Sequence, residues 1–265
     1  MNTKAGPGRS LGYRMPAEAR LTSLTLRVRD LARLQRFYAD LLGLHVQPGG
    51  PDHIGVGPEG KAFALELVQD PQAPVRPHPS VGLYHFALLL PDRPQLAAVV
   101  RRLMEAEWPF EGASDHGVSE ALYLRDPEGN GIELYRDRPD GEWPHRNGEL
   151  AMVSQALDVS AQLAEAPTSA PIHPATRLGH IHLSVDDLHA GEQFYSTILG
   201  LNVTQRSYPG ALFLAAGTYH HHVGLNTWAH GRRAPGNATG LTGYAWAVPR
   251  GTVDALSGHL GTAGV

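Results

Sequence analysis

Residues 24–46 read LTLRVRDLARLQRFYADLLGLHV, and residues 181–203 read IHLSVDDLHAGEQFYSTILGLNV. Aligned without a gap at an offset of 157, ten of the 23 positions are identical, including Phe37-Tyr38 with Phe194-Tyr195 and Leu42-Gly43-Leu44 with Leu199-Gly200-Leu201. Self-similarity at a fixed offset marks an internal repeat, so the fold is to be read as that of one unit used more than once. Each copy opens with alternation, which favours a half-buried strand. In the second copy Ile181, Leu183 and Val185 point to one side, and His180, His182 and Ser184 to the other. Asp187 then offers a helix N-cap, Leu188, Phe194, Tyr195 and Leu199 fit one helix, and Gly200 is placed to end it. Short strand candidates follow at 201–205, 211–215 and 221–225. The unit therefore reads β-α-β-β-β.

Working outward, two more strand starts have the same look. LYHFALLLPD (83–92) precedes a helical stretch at 93–106, and LTGYAWAVP (241–249) matches it at an offset of 158. The four starts are Leu21, Leu83, Leu178 and Leu241, and two positions after each stand Ser23, His85, His180 and Gly243. The expected organisation is an N-terminal tail (1–20), unit 1 (21–75), unit 2 (82–139), a linker (140–177), unit 3 (178–230) and an incomplete unit 4 (241–265). The fold class is α+β. VQDPQAPVRPHPS (68–80) and the proline-bearing stretch 137–177 read as connections, the second with a short helix expected within 148–166.

Composition narrows the function classes. The chain has 265 residues, 42% of them hydrophobic, enough for a packed core. Twenty-two basic against 26 acidic side chains give a net charge of −4, which argues against a broad nucleic-acid surface. No apolar run approaches the ~18 residues needed to span a bilayer, and the first residues lack the apolar stretch of a signal peptide. A cytoplasmic location is expected. With no cysteine, thiolate metal sites, iron–sulfur clusters and disulfides are excluded. The unusual count is 15 histidines, a common metal-ligand type.

GLYHFALLLP (82–91), SDHGVSEALYLRDPEGNGIELYRDRP (114–139), LGHIHLSV (178–185) and PGALFLAAGTYHHHVGLNTWA (209–229) together resemble the vicinal oxygen chelate superfamily of glyoxalases, bleomycin-resistance proteins and extradiol dioxygenases, and within it the bacterial catechol-2,3-dioxygenase group. DPEGNGIEL is general to the superfamily, whereas HHHVGLNTW with DHGVSEALYL is more specific. The resemblance implies paired βαβββ units, each pair curling into a half-open barrel around one divalent metal. It makes His85 and His180 ligands from first strands and Glu133 the carboxylate ligand from the last strand of unit 2. All three lie in units 2 and 3. Those two units are therefore expected to share the metal-binding barrel, with units 1 and 4 forming a second barrel without metal.

Two histidines and a carboxylate leave coordination positions open, the pattern of non-haem Fe(II) oxygenases. The implied activity is extradiol ring cleavage of catechol or a substituted catechol by O2 at Fe(II), with Mn(II) as an alternative metal. The competing readings are a glyoxalase-like lyase or transferase and a metal-free small-molecule binder; homo-oligomerisation is left open. Matching HHVGLN to the family motif gives the acid–base role to His222, with His221 as the alternative because a one-residue slip reverses the face. Tyr123, ten residues before Glu133, matches a family tyrosine expected to bind a substrate oxygen. His116 is expected either to support the site or to cap a turn. Asn226 and Trp228 are expected to line the pocket, and Asp126, Gly129 and Asn130 to form a turn.

Overall fold

The computed structural model describes residues 12–59, 63–166 and 168–265. The expected tail lies outside the described residues over 1–11. Its remaining part is packed, with Met15 buried and its N–H donating to the Gly200 carbonyl at 2.9 Å.

β1 (Arg20–Val28) runs into α1 (Leu31–Gln35), which widens into a π-helical turn over Arg36–Leu41. The Asp30 carboxylate starts this helix by accepting from the Arg33 N–H at 2.9 Å, and Gly43, at φ +80°, lets the chain reverse out of it. β2 (His45–Gly50), β3 (His53–Gly57) and β4 (Ala64–Gln69) complete the unit. The pattern recurs as β5 (Gly82–Leu89), α2 (Arg93–Glu105), β6 (Phe110–Asp115), β7 (Ser119–Arg125) and β8 (Gly131–Asp137).

The connection that follows is more ordered than a linker. It holds the hairpin β9 (His145–Arg146) and β10 (Glu149–Leu150), then β11 (Gln155–Ala156), which pairs with β6, then α3 (Val159–Ala164). β12 (Arg177–Ser184), α4 (Leu188–Glu192) with a π turn over Gln193–Ile198, β13 (Asn202–Gln205), β14 (Ala211–Ala215) and β15 (Val223–Asn226) repeat the pattern. Asp187 caps α4, and Gly200 leaves it at φ +85°. β16 (Gly240–Ala247) and α5 (Val253–Ala263) follow.

The strands form two large sheets, ordered β16-β1-β4-β3-β2 and β11-β6-β7-β8-β5-β12-β15-β14-β13. Within each repeat the first strand lies parallel to the last: β1 with β4, β5 with β8, β12 with β15. First strands then meet antiparallel, β5 with β12 and β1 with β16. The nine-stranded sheet is curled. Tyr123 on β7 and Phe213 on β14 line one cavity, although a flat sheet would hold those strands ~24 Å apart, five spacings of ~4.8 Å. The molecule is thus α+β, with curled half-barrel sheets.

One strand differs from expectation. β15 starts at Val223, not His221, so the three consecutive histidines lie in irregular backbone before it. The apolar core runs across both sheets through Leu24, Leu67, Phe86, Leu134 and Ile181, all fully buried. Among the described residues no helix is long and apolar enough to cross a membrane.

Candidate metal centre

β8, β5 and β12 are neighbours at the middle of the nine-stranded sheet. Ala87 on β5 stands opposite Glu133 of β8 on one side and His180 of β12 on the other. His85 is two residues earlier on β5, hence on the same face. Ala87 is fully buried and ends at its Cβ, which leaves the space above it to the three larger side chains. They converge there. His85 Nε2 is 3.0 Å and His180 Nε2 3.1 Å from the same Glu133 oxygen, Oε2. A donor atom from each of the three lies within 4.8 Å of the other two.

These spacings fit a metal. Two ligands at right angles on an ion with bonds of ~2.1 Å are about 3.0 Å apart. The three side chains are almost wholly buried, and His85 Nε2, close as it is to Glu133, makes no hydrogen bond. An orphaned buried nitrogen is costly unless something outside the protein satisfies it. Burial pushes the Glu133 carboxyl up, but the attraction and hydrogen bond of His180, with the attraction of His85, outweigh it and hold the group well below the usual range. Burial lowers His180, against the pull of Glu133, so its ring favours the neutral form that a metal requires.

The centre opens into a cavity of about 210 Å³. This is smaller than the ~300–1,000 Å³ of sites for drug-sized ligands and suits a single-ring molecule. Its apolar wall comes from Tyr84, Met152, Phe213 and Trp228, and its polar wall from His85, Glu133, Tyr123, His116 and His221. Trp228 is where the sequence put it. Asn226 is not on the wall: its Oδ1 accepts from Ser184 Oγ at 2.9 Å and from the Trp228 N–H at 3.1 Å, so it holds the tryptophan loop instead.

The histidine register needs correction. His221, not His222, lines the cavity, with its ring centre 4.1 Å from that of His180. His222 lies outside this cavity, where it packs on Tyr219 and on Trp246 of β16 and its Nδ1 accepts from the Ala216 N–H. Strand alternation could not place these rings because β15 begins only after them. Burial, reinforced by His180, His220 and His182, pushes His221 well below the usual histidine range, so its ring is neutral at pH 7.

Tyr123 and His116 act as a pair. His116 Nδ1 is 2.6 Å from the Val153 carbonyl, which can only accept, so this nitrogen carries the proton. Its Nε2 then accepts from the Tyr123 hydroxyl at 2.6 Å. Burial, with the nearby Glu133, raises the Tyr123 phenol well above its usual range and keeps it protonated.

His182 also lines the cavity, although the sequence reading gave it no role. The signal was the alternation that sets it beside His180. Its ring lies against Gly224, where a Cβ would come within 2.9 Å, and its Nε2 has no partner.

The chain has recognisable relatives. The Glyoxalase/Bleomycin resistance protein/Dioxygenase superfamily matches residues 20–134 and 177–263. The chain is 45% identical over 235 residues to "Catechol-2,3-dioxygenase" of Bacillus subtilis (strain 168), covering 84% of this chain and 81% of that one. It is 29% identical over 140 residues to "Biphenyl-2,3-diol 1,2-dioxygenase 3" of Rhodococcus globerulus, covering 51% and 74%. The fold is shared with a putative dioxygenase from Bacillus subtilis subsp. subtilis str. 168 (TM-score 0.62, 15% identity, 95% of this chain and 76% of that one). It is shared too with glyoxalase I from Zea mays (TM-score 0.57, 17% identity, 93% and 79%). Over most of its length the chain is a catechol-2,3-dioxygenase-like enzyme. With its repeated β-α-β-β-β pattern, its curled sheets and this match, the chain belongs to the Glyoxalase/Bleomycin resistance protein/Dioxygenase superfamily.

Proposed function

We propose that the protein is an extradiol dioxygenase, opening the ring of catechol or a substituted catechol beside the diol and inserting both atoms of O2. The carrying observation is the His85–Glu133–His180 cluster at right-angle ligand spacing, open on one side to a small aromatic cavity that also holds a neutral histidine. The names of the relatives favour an aromatic diol as substrate.

On this reading His85, Glu133 and His180 would hold Fe(II), which would supply binding of the diol and activation of dioxygen. Everything else falls to the chain. The rings of Tyr84, Phe213 and Trp228 hold the substrate ring and exclude water. His221, neutral at pH 7, takes the proton from a substrate hydroxyl at a ring nitrogen and later returns it. Tyr123 keeps its proton toward His116, leaving its oxygen lone pairs to accept a hydrogen bond from the substrate.

The test is to load the purified protein with Fe(II) without air, then add catechol and air. The expected outcome is one O2 consumed per catechol and a yellow ring-opened semialdehyde. Tight zinc or nickel with no oxygen uptake would move the reading to a glyoxalase-like lyase, and no metal at all to a binder.

A further inference from the structure

We propose that Asp137 and His220 are positioning residues that fix His221 in the tautomer whose unprotonated Nε2 is presented to the cavity. This rests on the acid–base role given to His221 above.

His220 is completely buried between two partners. Its Nε2 is 2.8 Å from Asp137 Oδ1, and its Nδ1 is 2.8 Å from His221 Nδ1. A carboxylate can only accept, so the His220 proton sits on Nε2. Only one proton fits between two nitrogens 2.8 Å apart, and a ring that already gives its Nε2 proton to a carboxylate accepts through Nδ1. The nitrogen facing it, His221 Nδ1, must then be the donor. In this arrangement His221 holds its proton on Nδ1, and Nε2 on the other edge of the ring is bare. Reversing any one link would place the His221 proton on Nε2, where it could not accept another.

The relay is anchored on the strand that supplies the carboxylate ligand candidate. Glu133, Tyr135 and Asp137 alternate along β8 and share one face. The Tyr219 hydroxyl donates to Asp137, 3.2 and 3.1 Å from its two oxygens, and itself accepts from the Tyr135 hydroxyl at 2.7 Å. Asp137 is therefore held from two sides, by Tyr219 and by His220. Neither Asp137 nor His220 lines the cavity, so their effect on a bound molecule runs through His221.

The experiment uses metal-free protein with 15N-labelled histidine, in which two-bond proton–nitrogen correlations report the tautomer of each ring, together with steady-state kinetics of the iron-loaded enzyme. His221 should show its proton on Nδ1. In His220→Ala that preference should disappear and kcat should fall roughly 10–100-fold, the range for removing a supporting hydrogen-bond partner, with KM and iron content little changed. His220→Asn sets an amide oxygen close to the lost Nδ1 and should recover both the tautomer and most of kcat. Asp137→Asn should behave like His220→Ala. A proton on His221 Nε2 in the unaltered protein overturns the proposal. So does an unchanged tautomer and kcat in His220→Ala while His221→Gln is inactive, which leaves the dioxygenase reading standing. If His221→Gln itself turns over normally, it is the acid–base role of His221 that fails, and the proposal falls with it.

Discussion

His221 and His222 are adjacent in the chain, yet one ring touches the candidate metal centre and the other Trp246 on β16 of the other sheet. Iron content and rate should therefore separate them. His221→Gln should keep its iron and lose about 10²–10⁴-fold in kcat, the usual contribution of a positioned acid–base group. His222→Gln should stay within a fewfold of normal. Assaying both variants side by side checks this, and an inactive His222 variant with a normal His221 variant would restore the original register. The contrast also shows what a sequence carries at this scale. His85 and His180 are legible because the same repeat position bears both, whereas strand alternation leaves the face of Glu133 open and only the family resemblance points to it. The order within His220-His221-His222 is not legible, since it depends on a backbone with no period. Asp137 and His220 are legible only once the sheet has brought β8 beside the loop before β15.

At the scale of elements, the centre depends on how closely β8 lies to β5. Gly131 makes that approach: a Cβ there would stand 2.2 Å from the Tyr84 carbonyl oxygen and 3.1 Å from His85 Cβ. Gly131→Ala has to push the two strands apart, and because Glu133 and His85 sit on opposite sides of that seam, metal affinity should fall together with stability. Overpacking of this kind costs ~1–3 kcal/mol. Melting temperature and iron titration should drop together; a stable variant with weakened iron, or the reverse, would uncouple seam from site. The preceding turn has a second job. Asp126 accepts from the Tyr38 hydroxyl at 2.8 Å, and Glu128 accepts from the backbone N–H groups of Arg29 and Asp30 at 2.8 and 2.7 Å. The DPEGN turn of the nine-stranded sheet thus clamps the end of β1 in the other sheet. The sequence marks these residues as turn formers, but it does not show what the turn grips. The five-stranded sheet keeps an echo of the site: Glu66 stands opposite Thr25 on β1 as Glu133 stands opposite Ala87 on β5. With Ser23 and Gly243 at the histidine positions, Glu66 pairs instead with His53 at 2.6 Å.

For the molecule as a whole, the concentration of buried histidine sets a pH limit. Burial, with mutual repulsion, lowers His180, His182, His221 and His222, the last to about 4. Their unfolded value is ~6.5. A group depressed in the folded state contributes stability that is complete above its unfolded pKa and is lost as pH falls toward the folded one. The metal-free protein should therefore be most stable above pH ~6.5 and weaken on acidification toward pH 4, each fully neutral buried histidine adding up to ~1.4 kcal/mol per pH unit to the slope. Glu133, held low, acts in the same direction. Thermal melts of metal-free protein between pH 7.5 and 5 should show a steady fall, and a level melting temperature across that range would contradict it. His222→Gln should flatten part of the slope without disturbing the three clustered side chains.

The strand pairing is written into the chain like nested brackets. Phe86 meets Ile181 across 95 positions, inside the pair formed by Leu26 and Leu241 across 215. On the ribosome, β1 emerges early and its partner β16 comes last, whereas β5 and β12 are both available while β16 is still unmade. At ~5–20 residues per second that interval lasts seconds, long for local strand pairing. The inner bracket should close first and bring the outer strands within reach, sparing β1 a search over the whole chain. Nascent chains stalled with residue 230 just outside the exit tunnel should then already protect 82–226 from protease while β1 stays open to cleavage. Equal protection of both would mean that the outer pair does not wait for its partner.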